Sequence, residues 1–152
     1  YALPESQLDR FHMRLSLGYP DRAAERELLR GQDRRELIES LNPALTPDDL
    51  TRLQRAVADV HTAEPVLEYL QDLVAATRSG RWFLQGLSPR AALAVVRAAK
   101  AQAFLQGRDY VAPDDIAAIL PQTTAHRLIP VRDAGRGPTE QVRAMLDAVP
   151  LP

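Results

Sequence analysis

Apolar residues recur three or four positions apart along most of this chain, the spacing of helices that bury one face. The first 20 residues differ. Residues 4–11 read as a short helix with Leu8 and Phe11 three apart, and residues 12–17 then alternate, placing Met13, Leu15 and Leu17 on one side. Alternation is the period of a strand, and Gly18-Tyr19-Pro20 ends it. No later segment reads as a strong strand, so the sheet that would pair it is expected outside this chain. Without that sheet the strand is expected to be disordered, packed on the helices or paired with a second copy.

Punctuation divides the remainder into helices. Asp21 can cap a helix running to about Arg30, which Gly31 stops. Residues 33–41 read as either a short helix or a structured loop, and Asn42-Pro43 breaks the chain. Thr46-Pro47-Asp48-Asp49 is a helix start, with Thr46 as cap, Pro47 in the first turn and Asp49 completing a capping box. Leu50, Leu53, Val57 and Val60 follow at helical spacing. A turn at 61–63 leads into a helix over 64–79 with Val66, Leu67, Leu70, Leu73 and Val74 as its stripe, ended by Gly80. Ser88-Pro89-Arg90 opens the most apolar helix, expected to be central and to run to Gln106 before Gly107. Residues 109–111 form an extended link. Ala112-Pro113-Asp114-Asp115 starts a helix carrying Ile116, Ile119 and Leu120, and Pro121 is expected to close that helix or its last turn. A short apolar segment at 126–130 and a Gly-rich loop at 135–138 precede a last amphipathic helix, capped by Thr139. There is no internal repeat and no low-complexity tract.

Composition narrows the class. The 152 residues suit one modest domain, or one and a half small ones, and bury roughly two-thirds of their extended surface. With 45% hydrophobic and only 5% aromatic residues, Leu, Ala and Val must build the core, which favours helices packed on helices. The net charge of −1 provides no general attraction to nucleic acid or membrane. Lys100 is the only lysine, so the cations are nearly all arginine. Arginine suits planar contacts with carboxylate or phosphate, but a genome rich in G and C produces the same bias and is the favoured explanation. With no cysteine, disulfides and thiolate metal sites are excluded, which fits a reducing cytoplasm. The longest apolar-rich stretch, residues 91–105, contains Arg97, Lys100 and Gln102 and cannot span a membrane. The chain opens at Tyr1, in mid-motif, as a piece of a longer protein is expected to.

Two segments carry candidate chemistry. Arg10, near the end of a short helix and ahead of an edge-like strand, can project from a surface towards phosphate, although spacing alone favours a solvated Asp9-Arg10 charge pair. Arg90 follows the Ser88 cap and Pro89 on the first turn of the apolar helix, where free amides and the positive dipole end also point. An arginine there slightly opposes the dipole, a small effect compatible with an ordinary solvent-facing side chain.

Tyr1-Ala2-Leu3-Pro4-Glu5-Ser6-Gln7-Leu8-Asp9-Arg10-Phe11 resembles the segment after sensor 1 in MoxR-type AAA+ ATPases, approximately YPLPEAQLDRF. Gly86-Leu87-Ser88-Pro89-Arg90-Ala91 is similar to that family's sensor 2 motif GASPRA, and residues 109–116 to its DYVTPEDI link. His126-Arg127-Leu128 and the closing Val149-Pro150-Leu151-Pro152 also resemble family segments, in the same order and across nearly the whole chain. Ala2 and Leu87 depart from the usual Pro and Ala without touching the proposed chemistry.

The resemblance implies a mainly α fold, a helical lid bundle over 21–152 preceded by a helix-strand remnant of an α/β core over 1–20. It implies that Arg10 is an arginine finger acting on the neighbouring subunit's nucleotide. Arg90, supported by Ser88 and Pro89, would be the sensor 2 arginine on its own subunit's ATP. It places ATP and Mg in the full-length parent with none bound to this chain, and makes the partners the protein's own N-terminal core, neighbouring ring subunits and a von Willebrand A-domain protein matured by chaperone-like remodelling. No phosphate loop and no paired-acid Walker B strand occurs in these residues, so the chain alone is expected not to hydrolyse ATP. His126 reads as structural, with no metal set near it. Two other classes remain: a stand-alone helical interaction module without nucleotide chemistry, and a DNA-binding helical domain, which the acidic balance and the lack of a Lys/Arg stripe argue against.

Overall fold

The computed structural model describes residues 3–31, 38–131, 135 and 137–152. Tyr1 and Ala2 of the first motif, residues 33–37 of the ambiguous segment and Arg136 of the last loop lie outside the described residues. The fold is mainly α: α1 (Glu5–Leu8), α2 (Arg22–Arg30), α3 (Pro47–Asp59), α4 (Glu64–Arg78), α5 (Pro89–Leu105), α6 (Pro113–Thr124), a 3-10 turn (Ala125–Arg127) and α7 (Pro138–Leu146). Two compact units divide it. One comprises Tyr1–Arg14 with Gln54–Pro152, the other Leu15–Leu53.

In the smaller unit, Asp21 accepts the Ala24 amide at 2.8 Å to start α2, and Gly31 leaves it at φ 56°. No α2 residue is buried, and Leu29 is 83% exposed. The expected capping box at the start of α3 is formed: Thr46 Oγ1 accepts the Asp49 amide at 3.1 Å, and the Asp49 carboxylate accepts the Thr46 amide at 3.0 Å.

The larger unit holds the core. Val66, Tyr69, Leu70, Leu73 and Val74 of α4 meet Ala91, Val95, Ala98, Ala99 and Ala103 of α5, with Ile116 and Leu120 of α6 and Val142 and Met145 of α7. α5 and α6 form the most extensive helix pair, which the small alanine face of α5 permits. Ser88 caps α5 by accepting the Ala91 amide at 3.1 Å, a bond of a kind that contributes about 1 kcal/mol. The connection ahead of that cap is fixed from α4. Thr77 Oγ1 accepts the Leu87 amide at 3.1 Å, and Arg78 donates to the Leu87 carbonyl at 2.8 Å. A Cβ on Gly86 would lie 2.8 Å from Arg78 Cα, so only glycine allows this approach.

Three expectations need correction. Residues 12–17 carry no strand. Met13 packs against the core, and the Arg14 amide donates to the Gln122 carbonyl at 2.9 Å, because alternation makes a strand only where a neighbouring strand takes up its backbone groups. Pro121 does not close α6, which continues to Thr124. The buried Thr123 and Thr124 hydroxyls donate back to the Ile119 and Leu120 carbonyls and hold the last turn. The last helix is capped by Gly137 rather than Thr139, with Pro138 in the first turn, where proline's fixed φ suits helix entry. The link at 109–111 does run alongside another segment, as a single parallel bridge from Tyr110 to His61.

Candidate functional site: an arginine cleft at the start of α5

In the larger unit, Arg10 and Arg90 line the same cleft, of about 390 Å³. Arg97 lies about two turns further along the same face of α5, with Leu93 and Ala94 between it and Arg90, and Arg127, Asp9 and His12 complete the wall. Positions 90, 93, 94 and 97 are the i, i+3, i+4, i+7 set of one helix face, so α5 presents two guanidinium groups in one direction. The side chains of Arg10, Arg90 and Arg97 make no hydrogen bond or ion pair with the described residues, and all three residues are exposed. Four arginines against one carboxylate make this a locally cationic site in a chain whose overall charge is −1.

Asp9 is already engaged. Both its carboxylate oxygens accept from the Ser88 hydroxyl, at 3.1 and 3.2 Å, and its Oδ1 faces Arg127 Nε at 3.5 Å. Ser88 and Pro89 themselves do not line the cleft. Ser88 ties the Arg10 segment to the α5 cap, while Pro89 lies on a larger groove of about 840 Å³ between α4 and α5. That groove is mostly apolar, and its one arginine, Arg78, is spent on the Leu87 carbonyl, so the arginine cleft is the better chemical site.

Arg127 is the residue that reading along the sequence missed. Its side chain is 5% exposed, its Nη2 donates to the Phe11 carbonyl at 2.6 Å and the Asp9 carbonyl at 3.2 Å, and its Nη1 is buried without a hydrogen-bond partner. Burial holds the guanidinium below the usual arginine range, Asp9 opposes that shift, and Arg90 adds to it. Next to it, His126 Nε2 lies 3.0 Å from the same Phe11 carbonyl. A carbonyl only accepts, so Nε2 carries the proton and Nδ1 is bare, buried and unpartnered.

That arrangement sets a pH dependence. Burial lowers the His126 pKa; the Phe11 carbonyl and Asp9 oppose this, and Arg127 and Arg14 reinforce it. The unfolded chain therefore binds the proton first as pH falls. Stability is expected to be full above the ordinary histidine pKa of about 6.5 and to decline on acidification through it. Thermal melts between pH 7.5 and 5.5 should show a smaller decline in His126→Gln, which has no imidazole to protonate. An equal decline in both proteins would exclude His126 as the cause.

Among the described residues, no group of three or more His, Asp or Glu side chains could hold a metal ion, and no helix is long and apolar enough to cross a membrane.

Comparison with known proteins places this geometry. Residues 75–147, from the last turn of α4 through α7, match the AAA lid domain family. The fold and that match together define an AAA lid domain. Its relatives specify the type. Chaperone MoxR1 of Mycobacterium tuberculosis is 33% identical across the whole chain, which covers 43% of that protein, and protein MoxR of Methylorubrum extorquens is 31% identical across the whole chain, which covers 51% of it. The uncharacterized protein YeaC of Bacillus subtilis is 39% identical, again across the whole chain, with 48% of its length covered. A solved Cytophaga hutchinsonii protein, provisionally described as an ATPase, superposes with a TM-score of 0.82 at 31% identity, over the whole of this chain and 50% of that one. The lid match, the MoxR-named relatives and the superposition together support a C-terminal lid region of the MoxR family of AAA+ ATPases. It spans about half the length of the curated relatives it matches.

Proposed function

We propose that this chain is the lid of an ATP-hydrolysing ring protein and that Arg10 and Arg90 hold the phosphates of one nucleotide, the neighbouring subunit's. The observation that carries the reading is the convergence of three unpaired guanidinium groups on one cleft beside the α5 start. Like charges held this close repel one another unless an anion joins them, and a phosphate chain is the anion that bidentate arginine suits. A charge-spread phosphoryl transfer state gains most from donors already fixed in place.

In this reading residues 1–20 complete an α/β core and 21–152 form the lid. ATP and Mg bind in the longer parent, and the core and neighbouring ring subunits are the partners. A von Willebrand A-domain client, remodelled in a chaperone-like way, fits the MoxR relationship. The stand-alone interaction module has no use for unpaired arginines at a helix start. A shared cleft also favours a common phosphate for Arg10 and Arg90, in place of separate nucleotides for the two.

Arg90→Ala in the intact parent should slow ATP turnover by about a hundredfold to a thousandfold, the range for losing one preorganised donor, with the melting temperature unchanged. Mixing Arg90→Ala and Arg10→Ala subunits then distinguishes the two arrangements. If both arginines serve the same nucleotide, every site beside a variant subunit lacks one of them, and mixing restores nothing. Recovery of turnover on mixing would assign them to different nucleotides and overturn the shared-phosphate reading.

A further inference from the structure

We infer that Arg127 is a positioning residue for Arg10: its buried guanidinium clamps the backbone on both sides of Arg10 to the lid. The inference rests on the phosphate role proposed for Arg10 and extends it to a residue 117 positions away by numbering. Arg127 Nη2 reaches the carbonyls of Asp9 and Phe11, the two residues flanking Arg10, at 3.2 and 2.6 Å. Its Nε faces the Asp9 carboxylate at 3.5 Å, and that carboxylate accepts the hydroxyl of Ser88, the α5 cap. His126 Nε2 adds a second donor to the Phe11 carbonyl. Thus one turn of backbone, holding Arg10 at its centre, is fastened to the 3-10 turn after α6 and to the start of α5.

The Arg10 side chain itself has no hydrogen bond or ion pair among the described residues. Its direction is therefore set by the backbone it grows from, and that backbone is set by Arg127. A flat guanidinium can span two carbonyls and a carboxylate at once, which an ammonium cannot. The clamp also fixes Arg10 relative to Arg90, because Ser88 and Arg90 share the first turn of α5. A movement of the lid that turned α5 would carry both arginines together.

The test uses the intact parent and two readouts. In Arg127→Gln, hydrogen exchange of peptides covering residues 9–14 should speed up by about tenfold or more, the scale set by losing charged-donor hydrogen bonds, while peptides within α4 and α5 keep their protection. Arg127→Lys, which keeps a cation near the Phe11 carbonyl, should fall between the two and serves as the test if the glutamine variant does not fold. Unchanged exchange over 9–14 would overturn the clamp. In turnover, Arg127→Gln should lower kcat by about tenfold with KM for ATP unchanged, and add nothing when Arg10 is already alanine. A further loss in the Arg10→Ala background would show that Arg127 acts by another route. Should Arg10→Ala alone leave turnover intact, the phosphate reading fails and the positioning role with it, whereas the exchange result still decides whether the clamp exists.

Discussion

Arg10→Ala in the intact parent is expected to reduce ATP turnover by about a thousandfold, the low end for removing an arginine that stabilises the phosphoryl transfer state from a neighbouring subunit. The fold should not notice the change, since the side chain is exposed and without a hydrogen bond or ion pair among the described residues. The loss should be repaired in mixed assemblies. Subunits that retain Arg10 but cannot bind nucleotide contribute a finger and no active site of their own, while Arg10→Ala subunits contribute sites and no finger. Placed side by side they rebuild working sites, so turnover per nucleotide-competent subunit should rise well above that of either variant alone. Mixtures no more active than their parts would exclude action on a neighbour's nucleotide. Titrating the mixing ratio separates repair from residual wild-type activity, because repair passes through a maximum at intermediate ratios.

Much of the helical frame was legible because its signals are local. The Asp21, Thr46 and Ser88 caps each reach an amide three residues on, and Gly31, Gly80 and Gly107 occupy positive-φ positions where the apolar stripes stop. The misreadings arose where a local rule competes with packing. Pro121 removes one backbone donor, yet α6 is buried on several sides and its threonines add hydrogen bonds to the Ile119 and Leu120 carbonyls of the last turn, so the helix continues for a turn. Met13, Leu15 and Leu17 have strand spacing, but a period of two predicts only which side chains share a face, and partner strands decide whether a ladder forms.

The candidate site was half legible. Arg10 and Arg90 stand out only through motif resemblance, and the arginine-rich composition hides any local concentration. The i, i+7 relation of Arg90 and Arg97 on a capped helix is a signal that the sequence does contain, and it would have predicted two cations on one face. Arg127 could not be found that way. Its partners lie near the other end of the chain, and nothing in its neighbourhood distinguishes a buried clamp from a surface charge. Long-range pairing of backbone carbonyls with a guanidinium has no periodicity to read.

The largest stability effect is expected away from the cleft, at the pair that holds the start of α6. Asp115 is 2% exposed and accepts from both terminal guanidinium nitrogens of Arg108, Nη2 at 2.5 Å and Nη1 at 2.7 Å, as well as from the Ala112 amide at 2.8 Å. With alanine at position 112, the N-cap has no side-chain acceptor, so Asp115 supplies the inward half of a capping box alone. Arg108→Ala leaves that carboxylate buried with one backbone donor. Breaking one side of a buried pair should lower the folded-to-unfolded ratio by about a hundredfold, read as a lower urea midpoint. The Arg108 hydrogen bond is the main cause holding the Asp115 pKa below the usual carboxylate range, with burial acting against it. The folded chain therefore releases this proton more readily than the unfolded one, and the stability it contributes is present above the ordinary carboxylate pKa of about 3.9 and lost as pH falls through the folded value. The gap between wild type and Arg108→Ala should accordingly be widest near neutral pH and shrink under acid, where the orphaned carboxylate takes up a proton and ceases to be a buried charge. Replacing both residues with alanine should cost less than the sum of the single changes, because no unpaired charge remains inside. A gap independent of pH, or additive single and double changes, would show that Arg108 acts through packing of its methylene stem rather than through its pairing with Asp115.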